Sequence, residues 1–454
     1  MLRLTWVQPE DLIGHELRQA AQDGREPSRI AARWKAAGGL EAPRRSGASP
    51  TQASRYLRLL AEDLLDELAD LPSRLADREP TDLTRIKANC PSWPAPPTAA
   101  HRGPTPSSLE AAWLGRAAGC LLGKPVEKLP LEAIRSLARP TGNWPPTTYF
   151  TAKGVPQELL TTHPWNRRSA HTSLAENIDG MPEDDDLNYP LLNLLLLQRH
   201  GKTFTTTDVA ELWLEELPAG RTFTAERLAY RNLLTGLEPP RTAAHRNPFR
   251  EWIGALIRAD MHGWTNPGNP AAAAEQAHRD ATLTHTANGV YAAMFIAATI
   301  AQAATGTEDI HTCLATGLTV IPPASRLARA IHQAVQLAEK HGDFDTVVDE
   351  LHAAHAETHW VHAIPNTALI TAALTHADGD FTESISRAVS GGWDTDSNGA
   401  TAGSIAGLLA GHPSVLPDHW TAPLKNRLST SVGDFNGTGF DTLAHLTHRE
   451  AVRS

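Results

Sequence analysis

Apolar residues recur at spacings of three and four along several long stretches of the chain. The leucines of ASRYLRLLAEDLLDELADL follow this spacing, and SRLARAIHQAVQLAEKHG shows the same amphipathic pattern up to Gly342. A third stretch, DLNYPLLNLLLLQRHG, is strongly apolar and ends at Gly201, a residue type common just after a helix. Alternating patterns typical of strands are few. The spacing predicts an almost entirely α-helical protein, without a detectable repeat.

Two helix starts can be placed from local signals. In SSLEAAWLGRAAGCLLG, Ser107 is followed three residues later by Glu110, which is the spacing of a capping box. In NPAAAAEQAHRDATLTH, Asn269 is a good N-cap and Pro270 suits the first helical position. We therefore predict helices that begin at these two points.

The helical stretches are separated by two segments rich in proline and serine. These are APRRSGASPTQAS, residues 42–54, and CPSWPAPPTAAHRGPTPSS, residues 90–108, neither of which has a periodic apolar pattern. The predicted organisation is a small helical N-terminal region with Pro/Ser-rich linkers, residues 1–104. A larger all-α domain, residues 105–454, follows it.

One predicted helix has a row of glycines on one face. In GGWDTDSNGATAGSIAGLLAG, glycine occupies positions 399, 403, 407 and 411. Each glycine inside a helix costs roughly 1 kcal/mol relative to alanine. We interpret the row as a surface for close backbone packing against a neighbouring helix, because a flexible surface helix would not carry the apolar residues that lie between the glycines.

Composition and charge exclude several classes of protein. The net charge is −10 and the pI is about 6.1, which argues against a nucleic-acid-binding protein. Three cysteines without a CxxC pair, and a start without an apolar h-region, predict a cytoplasmic protein. The most apolar run, NGVYAAMFIAATIAQAATG, contains Asn288, Tyr291 and Gln302, so we predict a buried helix and no membrane partner. We expect a monomer or dimer.

Acidic residues cluster at two predicted helix starts. The first cluster is Glu183–Asp186 in MPEDDDLNY, and the second is Asp394, Asp396 and Ser397 in DTDSNG. The second begins like an EF-hand loop, but position 12 is Ile405, which cannot be a ligand. Helix capping explains either cluster taken alone. Two such clusters that meet across a cleft would instead suit Mg²⁺ or Mn²⁺, which prefer oxygen ligands.

A group of histidines offers a competing site. In HAAHAETHWVH, His352, His355, His359 and His362 would share one helical face and could bind Zn²⁺ or Ni²⁺. The chain has 21 histidines, so chance clustering is the simpler interpretation, and Pro365 follows closely.

Four segments, in order, resemble the ADP-ribosylglycohydrolase family. They are GRAAGCLLGKPVE, PEDDDLNY, the pair IGALIRADMHGWTNPG and TLTHTANGVYAAMF, and DTDSNGATAGSIAG. The resemblance covers about residues 109–448. It implies a compact, orthogonal, all-α helical bundle with two Mg²⁺ or Mn²⁺ ions that bind the hydroxyls of a terminal ribose.

The resemblance also implies roles for individual residues. A water activated by the ions would attack the anomeric carbon, and Glu127 would approach the scissile bond. The implied metal ligands are Glu183, Asp184, Asp185, Asp394, Asp396 and Ser397. The implied catalytic residues are Asp184, Asp185 and Glu127. The candidates for the substrate pocket are Gly123, His285, Asn288, Gly289 and Tyr291.

The chain departs from the family pattern at three positions. Cys120 replaces an aspartate, Glu183 replaces a ligating threonine, and Trp393 lies between a glycine pair and Asp394. The function implied is cleavage of an N- or O-glycosidic bond of ADP-ribose on a protein or nucleotide conjugate. Two alternatives stay open: a hydrolase of a small NAD-derived or nucleoside metabolite, and a catalytically silent member that binds ligands or serves a structural role.

Overall fold

A computed structural model describes residues 3–42, 46–97 and 103–453. These residues form 23 α-helices and no strand, and two isolated bridges pair Met181 with Leu428 and Trp252 with His362. The all-α prediction is confirmed. The two predicted linkers lie partly outside the described residues, at positions 43–45 and 98–102.

The N-terminal region contributes four helices, which are α1 (Pro9–Gln22), α2 (Ser28–Ala36), α3 (Arg55–Ala69) and α4 (Leu83–Asn89). The first half of the main body contains α5 (Pro106–Gly123), α6 (Leu131–Ala138), α7 (Gln157–Thr162), α8 (Ala170–Ser173), α9 (Asp185–His200), α10 (Thr206–Glu216), α11 (Thr224–Leu234), α12 (Arg241–Ala244), α13 (Asp260–Trp264) and α14 (Pro270–Ala281).

The second half contains α15 (Ala287–Ala303), α16 (Ile310–Leu318), α17 (Arg326–Lys340), α18 (Phe344–Ala354), α19 (Ala363–His376), α20 (Phe381–Ser390), α21 (Thr395–Ala410), α22 (Asp418–Thr421) and α23 (Phe440–Val452). Short 3₁₀ segments connect several helices, at Lys124–Val126, Arg139–Thr141, Gly201–Thr203, Ala219–Arg221, Ile253–Arg258, Pro413–Val415, Ala422–Leu424 and Gly433–Phe435.

Helices α5 and α21 form the closest helix pair of the site. A Cβ atom on Gly119 would overlap the backbone of Gly399, and a Cβ atom on Gly115 would overlap the carbonyl oxygen of Gly403. A Cβ atom on Gly407 would overlap the carbonyl oxygen of Ala111. Backbone thus lies against backbone along the pair, which confirms the predicted packing of three of the four glycines. The fourth, at position 411, ends α21 with φ of +75°.

The predicted helix ends are partly confirmed. Asn269 caps α14, since its Oδ1 accepts a hydrogen bond from the backbone N–H of Ala272 at 3.1 Å. Helix α9 ends before Gly201, as predicted. The capping box at Ser107 is wrong, because α5 begins earlier and its N-cap is Thr105. Pro106 explains the difference, since proline favours the first position of a helix.

The most apolar segment forms α15, whose residues are almost all buried. This agrees with the prediction of a core helix. Among the helices of the described ranges, none is long and apolar enough to cross a membrane.

Buried ion pairs tie the N-terminal region to the main body. Arg250 pairs with Glu16 and with Asp23, at 2.6 Å in each case. Arg326 pairs with Glu79 at 2.7 Å. The acids of the N-terminal helices and loops therefore neutralise arginines of the larger domain.

Candidate metal centre

The glycine contact between α5 and α21 sets the position of the candidate site. Gly123 ends α5 and packs so closely on Thr395 and Asp396 that a side chain there would overlap their backbone. The hydroxyl of Thr395 donates a hydrogen bond to the carbonyl oxygen of Gly123 at 2.8 Å. Asp184, the N-cap residue of α9, approaches the same point through Lys124. Three chain segments therefore converge there, and Gly123 acts as a backbone contact within the site.

Two groups of side chains in the described residues could each hold a metal ion. One group contains Cys120, Asp184 and Asp186, and the other contains Glu127, Asp394 and Asp396. In each group, the candidate ligand atoms lie within 4.8 Å of one another. We call these the first and the second ligand group.

The first ligand group is surrounded by hydrogen-bond donors. Lys124 pairs with Oδ2 of Asp184, and Oδ1 of Asp184 accepts from the backbone N–H of Asp186 at 2.9 Å. Asp186 accepts from Arg116 at 3.5 Å and from the hydroxyl of Ser397 at 3.3 Å. Its Oδ2 atom also lies 3.9 Å from the sulfur of Cys120.

The pKa values of the two aspartates in the first group are shifted in opposite directions. Burial alone would raise the pKa of Asp184, but the charge and hydrogen bond of Lys124 outweigh it and lower that pKa. Burial and the charge of Asp184 raise the pKa of Asp186 well above its usual range, although Arg116 opposes this. Burial also raises the pKa of the Cys120 thiol. Sulfur is a soft ligand and therefore suits Mg²⁺ or Mn²⁺ poorly.

The second ligand group contains an excess of negative charge. Burial, followed by the charges of Asp396 and Glu127, raises the pKa of Asp394 well above its usual range. Burial and the charge of Glu127 raise the pKa of Asp396 to about 7. Glu127 accepts a hydrogen bond from Asn166 at 2.8 Å and pairs with Lys128 at 2.6 Å. Buried carboxylates that raise one another's pKa are typical of a site that a cation would stabilise.

The charges of both ligand groups affect the pKa of Asp185. Burial raises its pKa well above the usual range, and Asp184 and Asp396 are the next largest causes. Its side chain is nevertheless partly exposed. A partly exposed carboxyl group with a raised pKa is a suitable candidate for proton transfer.

Asn366 on α19 holds the start of α21 in place through hydrogen bonds. Its Oδ1 atom accepts from the backbone N–H of Asp394 at 3.2 Å and from Asn398 at 2.8 Å. Its Nδ2 atom donates to the carbonyl oxygens of Trp360 and His362. All four hydrogen-bonding contacts are internal, so Asn366 fixes the position of Asp394.

Glu183 does not belong to either ligand group, and its role as a metal ligand stays a prediction. Its carboxylate accepts hydrogen bonds from Arg221 at 2.9 Å, Asn188 at 2.9 Å and Ser431 at 2.8 Å. The chain is not yet helical at this point, and neighbouring side chains of an extended segment point in opposite directions. Asp184 therefore faces the site, while Glu183 faces the segment around Ser431.

The predicted substrate-binding residues at 285–291 lie in the core, and their binding role stays a prediction. Asn288 donates to Glu79 and to Glu251, each at 2.8 Å, and Tyr291 donates to the carbonyl oxygen of Pro80. His285 is hydrogen-bonded to the neighbouring Thr284 at 2.6 Å. Gly289 packs against the backbone of Arg250 and Glu251. All four are fully buried within packing that includes the N-terminal region.

The histidine cluster does not form a metal site in the described residues. Helix α18 ends at Ala354, so the four histidines do not share one helix. His352 stacks on Trp393 at 4.1 Å between ring centroids, and His359 stacks on Trp252 at 4.2 Å. The imidazoles therefore contribute to aromatic packing.

Sequence reasoning missed Lys124 and Asp186. Both carried a signal: Lys124 is a lone cation in the apolar segment GCLLGKPVE, and Asp186 belongs to the same acidic run as its neighbours. The helical register decides which acid of that run faces Cys120, and the register depends on the N-cap at Asp184.

Comparison with known proteins identifies a matching family. A family model described as ADP-ribosylglycohydrolase matches residues 104–452. Among solved structures, a chain described as an "ADP-ribosylglycohydrolase-related protein complex" is 21% identical, with a TM-score of 0.47. That match covers 76% of this chain and 99% of the other. No curated protein matches the chain.

Proposed function

Because the chain belongs to the ADP-ribosylglycohydrolase family, we propose that it is a divalent-metal-dependent glycohydrolase. The substrate would be an ADP-ribose-type nucleotide, with cleavage of an N- or O-glycosidic bond to a protein or nucleotide conjugate. Family membership supports glycohydrolase activity in general, while the bond and the leaving group are part of the proposal.

The observation that carries the proposal is the second ligand group. Asp394, Asp396 and Glu127 bring three carboxylates within 4.8 Å of one another at the end of a rigid helix pair. Such a set of oxygen donors fits Mg²⁺ or Mn²⁺. An ion bound there would supply Lewis-acid polarisation of ribose hydroxyls and acidify a nearby water.

Asp185 would perform proton transfer, and Glu127, a member of the second ligand group, would also lie near the substrate. Asp185 would accept the proton of the attacking water, because it is partly exposed and its pKa is raised. Glu127, held by Asn166 at 2.8 Å, would lie near the scissile bond. Carboxylates near the anomeric carbon stabilise an oxocarbenium-like transition state. Asp184 and Ser397 would line the site, next to Gly123.

The first experiment measures thermal stability with ADP-ribose in the presence and absence of Mg²⁺ or Mn²⁺. A ligand that binds the native state raises the melting temperature. We expect stabilisation by ADP-ribose only with metal, and its loss in Asp394→Asn and Asp396→Asn. Asp63→Asn, which changes an exposed aspartate of α3, is the matched control and should respond like wild type.

Hydrolysis assays then separate the alternatives. Release of ADP-ribose from a modified protein, stopped by EDTA, would support the proposed function. Cleavage of a small conjugate alone would indicate a metabolite hydrolase. Binding of ADP-ribose without cleavage of either substrate would contradict the enzymatic proposal and favour a silent family member.

A further inference from the structure

We propose that Lys124 is the resident cation of the first ligand group, so that the centre holds one divalent ion, in the second ligand group, instead of two. The inference rests on the proposed function, because it concerns the metal complement of the same site.

The position of Lys124 is fixed by its surroundings. It directly follows α5 and is only 7% exposed, and its ammonium group pairs with Oδ2 of Asp184. Its carbonyl oxygen accepts a hydrogen bond from Ser169 at 2.7 Å. Gly123 precedes it in close contact with Thr395, and Pro125 follows. The backbone on both sides is therefore held, and the side chain extends into the first group.

The oxygens of the first group already accept hydrogen bonds from protein donors. Both oxygens of Asp184 have partners, namely Lys124 and the backbone N–H of Asp186. Both oxygens of Asp186 have partners as well, which are Arg116 on one side and Ser397 and Cys120 on the other. A metal ion would have to replace these donors and would lie beside a buried ammonium group, where like charges repel strongly.

The third member of the first group also disfavours an ion. Cys120 contributes a sulfur atom, so the group lacks a third hard oxygen of the kind that Mg²⁺ or Mn²⁺ prefers. Two features of this group, the buried ammonium of Lys124 and the thiol of Cys120, act in the same direction. Each lowers the affinity of that group for a divalent cation.

The second group has the opposite character. The candidate ligand atoms of Asp394, Asp396 and Glu127 lie within 4.8 Å of one another, and carboxylates this close repel unless a cation lies between them. The ion of the centre is therefore expected there, with the ammonium of Lys124 close by in place of a second ion.

The test counts Mn²⁺ ions bound to the full-length chain after removal of metal with EDTA. Electron paramagnetic resonance reports free Mn²⁺ directly, and a pair of ions about 3.5–4 Å apart gives a spin-coupled spectrum that an isolated ion does not. We expect wild type to bind one ion with an uncoupled spectrum. The double variant Cys120→Asp/Lys124→Met should bind two ions with a coupled spectrum.

Lys425→Met is the matched control, because Lys425 forms a Lys–Asp pair with Asp179 on the surface. It should bind one ion, as wild type does. Two ions in wild type would overturn the inference and leave the proposed function standing. No ion in wild type would instead remove the basis of the proposed function. One ion in a folded double variant would overturn the role of Lys124.

Single variants keep the inference testable if the double variant does not fold. Asp184→Asn should still bind one Mn²⁺ with less than a tenfold change in affinity, since the carboxylate of Asp184 pairs with the ammonium group of Lys124. Asp396→Asn should lose the ion. Loss of the ion in a folded Asp184→Asn protein would overturn the inference.

Discussion

The contact between α5 and α21 makes Gly119→Ala the most informative single substitution. An added Cβ atom would meet the carbonyl oxygen and carbon of Gly399 and the backbone nitrogen of Ala400. These are backbone atoms, so the overlap is relieved only if one helix moves away from the other.

The expected loss of stability follows from two opposing effects. Overpacking a well-packed core costs about 1–3 kcal/mol, and the upper end applies because no flexible side chain can yield. Alanine regains at most about 1 kcal/mol of helix propensity relative to glycine. We therefore expect a net loss of about 2 kcal/mol.

The assay is urea unfolding followed by circular dichroism, with Mn²⁺ affinity measured on the same samples. Gly220→Ala is the matched control, since its Cβ atom would meet nothing within 4 Å. We expect weaker Mn²⁺ binding in Gly119→Ala, because separation of the helices moves Gly123 away from Asp396. A Gly119→Ala protein as stable as the control would refute the argument that backbone contact fixes the helix pair.

Three further predictions concern other parts of the molecule. Burial and then the charge of Arg18 lower the pKa of His15 to about 4. As pH falls from about 6.5 to about 4, His15 is therefore protonated in the unfolded chain before it is protonated in the folded protein, and this difference destabilises the folded state. Wild type should lose about 3 kcal/mol more stability over that range than His15→Gln, as urea unfolding at several pH values would show; equal losses would contradict this. Glu183→Gln should leave the Mn²⁺ affinity, measured by calorimetry, within about threefold of wild type, which is a change of under 1 kcal/mol. A larger loss of affinity would indicate that Glu183 is a metal ligand. Asn366→Ala should cost about 1–3 kcal/mol by leaving buried groups without partners, and weaken Mn²⁺ binding; unchanged values for both would show that Asn366 does not hold Asp394.

Local sequence patterns predicted the features that depend on short-range geometry. The glycine spacing predicted the helix contact around Gly399 and Gly403, since residues four apart share a helical face. The apolar periodicity predicted the all-α fold. Asp394 and Asp396, which are close in sequence, lie together with Glu127 in the second ligand group.

Features that depend on long-range partners could not be predicted in the same way. Asn288 and Tyr291 are polar residues in an apolar helix, which suggested a pocket. Their partners are Glu79 and Pro80, more than 200 residues earlier in the chain. A single sequence does not show such pairing.

The role of Glu183 depended on side-chain direction. Asp184 is the N-cap of α9, so a shift of one residue decides whether an acid points toward Asp396 or toward Ser431. Helix boundaries are the least certain part of sequence-based prediction. The same uncertainty about the helix boundary explains why Asp186 was not predicted as a member of the site.

The ion pairs of Arg250 and Arg326 have a consequence for how the chain folds. The family match begins at residue 104, whereas Glu16, Asp23 and Glu79 lie before it. A fragment cut to the length of the family match would keep both arginines and lose these three acids. Arg326 would keep Glu251 as a partner at 2.8 Å, whereas Arg250 would lose both of its acids. Since an unpartnered buried charge is strongly destabilising, we expect such a fragment to be less stable than a chain that retains the N-terminal helices.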